Sequence, residues 1–104
     1  MLRILLCCSA GMSTSMLVSK MQSAARREGL ECVIEAMSIT EGKQQIDKWD
    51  VIMLGPQVGY GLKEFESITK KPVAIIPAPI YAVAKGAEAI QMAKEMAKKA
   101  GVQF

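Results

Sequence analysis

Leu2 to Cys7 is an apolar run interrupted only by Arg3, and it leads directly into Cys8-Ser9-Ala10-Gly11-Met12-Ser13-Thr14-Ser15 and on to Met16-Leu17-Val18. A continuous apolar run followed by a turn of small residues reads as a strand buried on both faces, which belongs inside a parallel sheet. A helical pattern follows. Leu17, Met21 and Ala24 fall at i, i+4 and i+7, flanked by Val18 and Ala25, while Ser19, Gln22, Arg26 and Arg27 take the wet side. Ser13 or Thr14 is a candidate N-cap, and Gly29 a candidate residue just past the helix end. A strand, a small-residue loop and a helix N-terminus together form an anion cradle, because loop amides and the first helical N–H groups converge on one spot. A cysteine at its mouth is a candidate nucleophile.

The same alternation recurs along the chain. Cys32 to Met37 is a second strand, and Ser38-Ile39-Thr40-Glu41 matches a capping box opening a short helix to about Lys48. Gly42 weakens that helix by roughly 1 kcal/mol relative to alanine. Val51 to Leu54 is a third strand. Gly55 to Gly61 forms a second loop, and Leu62 to Ile68 a short helix. Val73 to Ile76 is a fourth strand, followed by a third loop, Pro77 to Tyr81, stiffened by two prolines. A last helix is expected from about Val83 to Ala100, with Ile90, Ala93, Met96, Ala97 and Ala100 on its apolar stripe and Gly101 at its end.

The order of elements predicts an α/β fold: a single domain over residues 1–104 with a four-stranded parallel sheet and helices on both faces. At 51% hydrophobic residues the chain has enough apolar material for a core. Ligands of such sheets bind beyond the carboxyl ends of the strands. The three loops should therefore gather on one rim, with Cys8, Gln57 and Tyr81 near one another.

Several function classes drop out. Histidine is absent, so no Ser/His/Asp or Cys/His machine can be assembled from this chain alone. The three cysteines, Cys7, Cys8 and Cys32, form neither a disulfide framework nor a C-x-x-C pair, and their spacing suits no metal, so no metal or cofactor is expected. Cys7 and Cys32 are read as structural strand residues. Nucleic acid is not an expected partner. The basic pairs Arg26-Arg27, Lys70-Lys71 and Lys98-Lys99 sit near predicted helix ends, where they complement the dipole, and no aromatics interleave with them. The opening apolar run is too short for a secretory leader, and no run approaches the roughly 20 residues of a membrane span, so a cytoplasmic location is expected.

The chemistry of the first loop is that of phosphate. Ser9, Ala10, Gly11, Met12, Ser13, Thr14 and Ser15 offer amides and hydroxyls, and no Asp or Glu lies between Cys8 and Arg27, so nothing local in sequence repels an anion. Phosphatases of the low-molecular-weight tyrosine class use Cys-x5-Arg-Ser in a similar strand–loop–helix. Here that spacing from Cys8 gives Thr14-Ser15, so the transition-state arginine is missing, and no Asp-Pro pair offers a general acid. A phosphocysteine formed here should hydrolyse slowly, which suits a carrier.

Cys8 to Ser15 closely resembles the signature of enzyme IIB of the lactose/cellobiose/chitobiose family of the phosphoenolpyruvate-dependent sugar phosphotransferase system. Leu54-Gly55-Pro56-Gln57, Lys71-Pro72-Val73 and Tyr81 look like that family too, and the resemblance spans essentially the whole chain. It implies an architecture like that of the low-molecular-weight phosphatases. It also implies that Cys8 accepts a phosphoryl group from a phosphohistidine of enzyme IIA and passes it to a sugar, such as cellobiose or chitobiose, held by membrane enzyme IIC. Met12, Gln57, Tyr60, Ile80 and Tyr81 are candidate partner contacts, and the apolar third loop a candidate docking surface. The alternative reading is a phosphatase-like hydrolase using Cys8.

Overall fold

The structure, a computed structural model, describes residues 1–8 and 12–104, with Met12 and Ser13 described through their backbone alone. The elements in chain order are β1 (Leu2–Cys7), α1 (Met12–Arg27), β2 (Cys32–Met37), α2 (Ile39–Gln44), a 3-10 turn at Ile46–Lys48, β3 (Val51–Leu54), a 3-10 turn at Pro56–Val58, α3 (Gly61–Ile68), β4 (Val73–Ile75), α4 (Ala78–Ala82) and α5 (Gly86–Lys99). The four strands form one sheet in the order β2-β1-β3-β4, all parallel.

β1 is central, paired from Leu2↔Cys32 to Cys7↔Met37 on one edge and from Ile4↔Val51 to Cys7↔Leu54 on the other. Its side chains alternate between two cores. Leu2, Ile4 and Leu6, with Val51 and Met53, pack against Leu17, Met21 and Ala25 of α1 and Ala89, Ile90, Ala93 and Ala97 of α5. Leu5 and Cys7, with Ile52 and Leu54, pack against Ile39, Trp49, Val58 and Phe65 on the opposite face. Helices therefore cover both faces, as the continuous apolar strands require.

The capping box forms as expected: the Glu41 N–H donates to Ser38 Oγ at 3.2 Å, and Ser38 Oγ donates to Glu41 Oε1 at 3.2 Å. Gly29 closes α1 with φ +71°, and the bonds Gly29 N→Arg26 O and Leu30 N→Ala25 O are those of a Schellman end.

Other expectations are corrected. α1 starts at Met12, so Ser13 and Thr14 lie in its first turn rather than at its cap. Thr14 instead spends its hydroxyl on a side chain distant in sequence. Of the two alanines in the α1 stripe, Ala25 is buried and Ala24 only partly so. Pro77 to Tyr81 is not a loop: Pro77 caps a short helix that reaches Ala82. The last helix does not begin at Val83, because Ala84 takes φ +51° and Gly86 opens α5. That break lets Gly86 lie so tightly on the backbone of Lys20 in α1 that a Cβ there has no room. Lys71 does not serve the end of α3. Its ammonium donates to the carbonyls of Ile46 at 2.9 Å and Trp49 at 2.6 Å, tying the start of β4 to the entry of β3.

Gly42 also changes meaning. It is buried, and a Cβ there would lie 2.6 Å from Cys7 Sγ, 3.2 Å from Leu5 Cδ2 and 3.3 Å from Phe65 Cζ. The glycine that costs helix propensity is what lets α2 lie against β1. Gly42→Ala should thus destabilise the fold by about 1–3 kcal/mol in urea titrations, against the propensity gain. The loss should shrink in a Cys7→Ala background, where the crowding sulfur is gone; additive losses would refute the steric account.

At the sheet's other end Asp50 takes the Arg3 N–H at 2.9 Å and two guanidinium donors at 3.0 and 3.3 Å. Burial alone would raise the Asp50 pKa, but the hydrogen bonds and charge of Arg3 outweigh it and hold the carboxyl below its usual range. The charged form therefore stabilises the fold above the ordinary carboxylate pKa, and this stabilisation is lost as pH falls through the lowered one. Asp50→Asn should cost about 1 kcal/mol near neutral pH, and its stability curve should converge on the wild type's in acid. A gap that persists in acid would show that the charge is not the cause.

Candidate functional site

β1 ends at Cys7, and chain direction makes the next residue the first beyond the sheet. Cys8 is held there from both sides: its own N–H donates to Met37 O at 3.2 Å, and the Gly55 N–H donates to Cys7 O at 2.9 Å. The chain passes from β1 outward to β2, then back past β1 to β3. The helices that follow β1 and β3 pack on opposite faces of the sheet, α1 in one core and α3 in the other. Cys8 and Gly55 directly follow the carboxyl ends of β1 and β3.

Adjacent strand residues point to opposite faces, and the two neighbouring cysteines differ accordingly. Cys7 lies wholly within the core against Leu5, Ile39 and Phe65, and burial, with a smaller contribution from Cys8, pushes its thiol up to about 12. Cys7 therefore stays a neutral thiol, as expected for an interior strand residue. Cys32 sits half-buried at the start of edge strand β2, its pKa raised by burial and by Glu28. Cys8, by contrast, lines a cavity of ≈240 Å³ together with Thr14, Ser15, Ala36, Met37, Ser38 and Glu41. Thr14 and Ser15 belong to the first turn of α1, so the positive end of a 16-residue helix meets the cavity that holds the cysteine.

Ser9, Ala10 and Gly11, three of the predicted phosphate-binding residues, lie outside the described residues, as do the side chains of Met12 and Ser13, so the expected exposure of Met12 does too. Of the remaining two, Thr14 is buried and Ser15 exposed. The second loop meets the first as expected. A Cβ placed on Gly55 would lie 3.2 Å from Cys8 Cβ, 3.1 Å from Gln57 Oε1 and 3.3 Å from Tyr81 Cε2. Cys8, Gln57 and Tyr81, spread over 73 positions of sequence (81 − 8), thus converge on one glycine. Gln57 is exposed, Tyr60 is 72% exposed and Ile80 half-buried. Tyr81 is corrected from partner contact to interior residue: it is 6% exposed, and its hydroxyl lies 2.7 Å from Thr14 Oγ1. The short helix α4 carries it inward while leaving Ala78 and Pro79 on the surface.

Sequence reasoning missed the far wall of the cavity. Ala36, Met37, Ser38 and Glu41 reach Cys8 because β2 is the neighbour of β1, and strand order is not written in local periodicity. No acidic residue lies between Cys8 and Arg27, but α2 brings the Glu41 carboxylate, distant in sequence, to the cavity lining. That carboxylate accepts the Ser38 hydroxyl, which occupies part of its charge. No lysine or arginine lines the cavity among the described residues. Among those same residues no group of three or more His, Cys, Asp or Glu side chains could hold a metal, and no helix is long and apolar enough to cross a membrane.

Residues 3–92 match the family model described as PTS system, Lactose/Cellobiose specific IIB subunit. The chain belongs to this family. IIB components are phosphotransferases of the sugar phosphotransferase system, and this IIB chain has relatives over nearly its full length. It is 35% identical over 96 residues to the oligo-beta-mannoside-specific EIIB component of Bacillus subtilis, covering 89% of this chain and 93% of that one. It is 36% identical over 101 residues to the cellobiose-specific EIIB component of Lactococcus lactis, covering 89% and 94%. Among solved structures, the cellobiose-specific IIB component of Borrelia burgdorferi superposes with a TM-score of 0.79 at 36% identity, over 94% of this chain and 93% of that one. The lactose-specific IIB domain of Streptococcus pneumoniae gives 0.80 at 16% identity, over 91% and 96%, and so shares the fold.

The convergence on Gly55 is open to direct test. Gly55→Ala pushes on Cys8, Gln57 and Tyr81 at once, so it should destabilise this IIB chain by about 1–2 kcal/mol. Amide chemical-shift changes should spread to Cys8 and Tyr81. Shifts confined to the sequence neighbours of Gly55 would contradict the packing described.

Proposed function

We propose that this IIB chain is a phosphoryl carrier whose acceptor is Cys8. The Cys8 thiolate attacks the phosphorus of a phosphohistidine on enzyme IIA; the S–P bond forms, the P–N bond breaks, and the released imidazole takes up a proton. A sugar hydroxyl at enzyme IIC then attacks the same phosphorus. The S–P bond breaks, the hydroxyl proton leaves to solvent or a base of that partner, and the Cys8 thiolate is regenerated. The segment from Ser9 to Ser15 supplies amide and hydroxyl donors to the phosphoryl oxygens. Transfer takes place on the cytoplasmic side of the membrane.

The observation that carries this reading is the seating of Cys8. It stands at the carboxyl end of the central strand, in one cavity with the first turn of α1, while its neighbour Cys7 is locked away as a neutral thiol. Hydrolysis is disfavoured by the residue at the sixth position after the cysteine. Thr14 is buried there and bonded to Tyr81, so no cation occupies the place where the phosphatases put arginine. With no arginine to clamp the transition state at that position, the phosphocysteine persists until an acceptor arrives.

Exposed apolar residues around the rim, Tyr60 on the second loop and Ala78 and Pro79 on α4, give the partners a surface to dock on. We assign Gln57 to the same surface and a β-linked disaccharide to the sugar. The names of the relatives span oligo-β-mannoside, galactose and cellobiose systems, which fits sugar choice residing in the membrane partner.

Incubated with phosphorylated enzyme IIA, the chain should gain the mass of one phosphoryl group. Cys8→Ser should abolish that gain, and Cys7→Ala should retain it. An adduct that survives Cys8→Ser, or rapid turnover of an aryl phosphate by the isolated chain, would overturn the carrier reading.

A further inference from the structure

Thr14 and Tyr81 form a buried hydroxyl–hydroxyl pair, 2.7 Å apart, with the two residues 3% and 6% exposed. Either oxygen can donate in such a pair. A threonine bonded to a carbonyl has its proton committed, because the carbonyl can only accept. A threonine bonded to another hydroxyl is not so bound: if the partner turns to donate, the threonine proton is free to point elsewhere, and neither buried oxygen loses its bond. Thr14 lines the cavity that holds Cys8, so the place for that proton to point is the cavity.

Tyr81 is well fixed for this task. Its N–H donates to Pro77 O at 3.1 Å, Lys85 N–H donates to Ile80 O at 2.9 Å across α4, and its ring edge lies against Gly55 beside Cys8. The ring cannot follow a moving threonine, but its O–H bond can rotate.

We propose that Tyr81 is a positioning residue for phosphoryl transfer and acts through a reversal of this hydrogen bond. In the free protein Thr14 is able to donate to Tyr81. When a phosphoryl group is on Cys8, Tyr81 donates to Thr14 Oγ1 and Thr14 donates to a phosphoryl oxygen. No covalent bond forms or breaks in the reversal; two hydroxyl hydrogens rotate. Without the Tyr81 hydroxyl, Thr14 Oγ1 loses the buried partner that holds it in place, and the donor it offers the phosphoryl group is no longer fixed. The proposal rests on the reading of Cys8 as the phosphoryl acceptor.

The chain contains two tyrosines, so labelling with 13Cζ-tyrosine gives two resonances, which Tyr81→Phe assigns. On phosphorylation by enzyme IIA the Tyr81 resonance should shift, since a phenol that donates differs from one that accepts. In Thr14→Val, of the same shape but without the hydroxyl, the shift should vanish; Thr14→Ser should restore it. Tyr81→Phe should take up the phosphoryl group, or keep it, roughly ten-fold less well, the worth of one hydrogen bond to a charged group. The losses in Tyr81→Phe and Thr14→Val should not add in the double variant. If the wild-type adduct forms but the Tyr81 resonance stays still, or if Tyr81→Phe loses only thermal stability while uptake and adduct lifetime match the wild type, the reversal is refuted. If the wild type forms no adduct, the carrier reading itself falls and takes the proposal with it.

Discussion

β1 is hydrogen-bonded to a parallel neighbour on each edge and covered by helices on each face, and nearly every feature of the molecule descends from that double burial. Past Arg3 near its start, a strand so placed carries apolar side chains, and it sends alternate residues into separate cores. Cys7 therefore becomes filler for one core, while Cys8, one residue further on, escapes the ladder and meets the cavity. Because neighbouring strands lie on both sides, the residue that leaves β1 is flanked by the ends of two others. Met37 holds its amide from one side, and Gly55 bonds to Cys7 from the other.

Close approach at the rim is purchased with missing side chains. Gly42 lets α2 press on Cys7, Gly55 lets three residues from three segments meet, and Gly86 lets α5 settle onto α1. These contacts fix where the first turn of α1 lies relative to Cys8. A helix N-terminus is only as useful as its aim, since its field and free N–H groups act over a single turn. The buried pair between Thr14 and Tyr81 completes the frame by joining α1 to α4 across the mouth of the sheet.

The electrostatic character of the site follows from the same packing. Among the described residues the cavity walls carry one carboxylate, Glu41, and no cation, and the first turn of α1 contributes Thr14 and Ser15. Under the proposed carrier reading, walls without a cation among the described residues suit a phosphoryl group that is to be passed on and not hydrolysed.

The sequence by itself determined the local elements and the place of the cysteine. The apolar run of β1, the capping box at Ser38, the terminating Gly29 and the strand–loop–helix around Cys8 are decided by residues within a few positions of one another, so periodicity and capping chemistry reveal them. Even the rim of Cys8, Gln57 and Tyr81 was legible, because parallel topology forces the carboxyl ends of strands to one side. Only the tertiary structure decided that β2 rather than another strand neighbours Cys8 on the cavity side, bringing Ser38 and Glu41 with it. It alone turned Tyr81 inward to Thr14, broke the last helix at Ala84 and made Gly42 a necessity instead of a cost. Each of these depends on groups tens of residues apart coming within van der Waals or hydrogen-bond range. Their free energy exists only once the sheet has ordered its strands, and no local pattern in the chain encodes it.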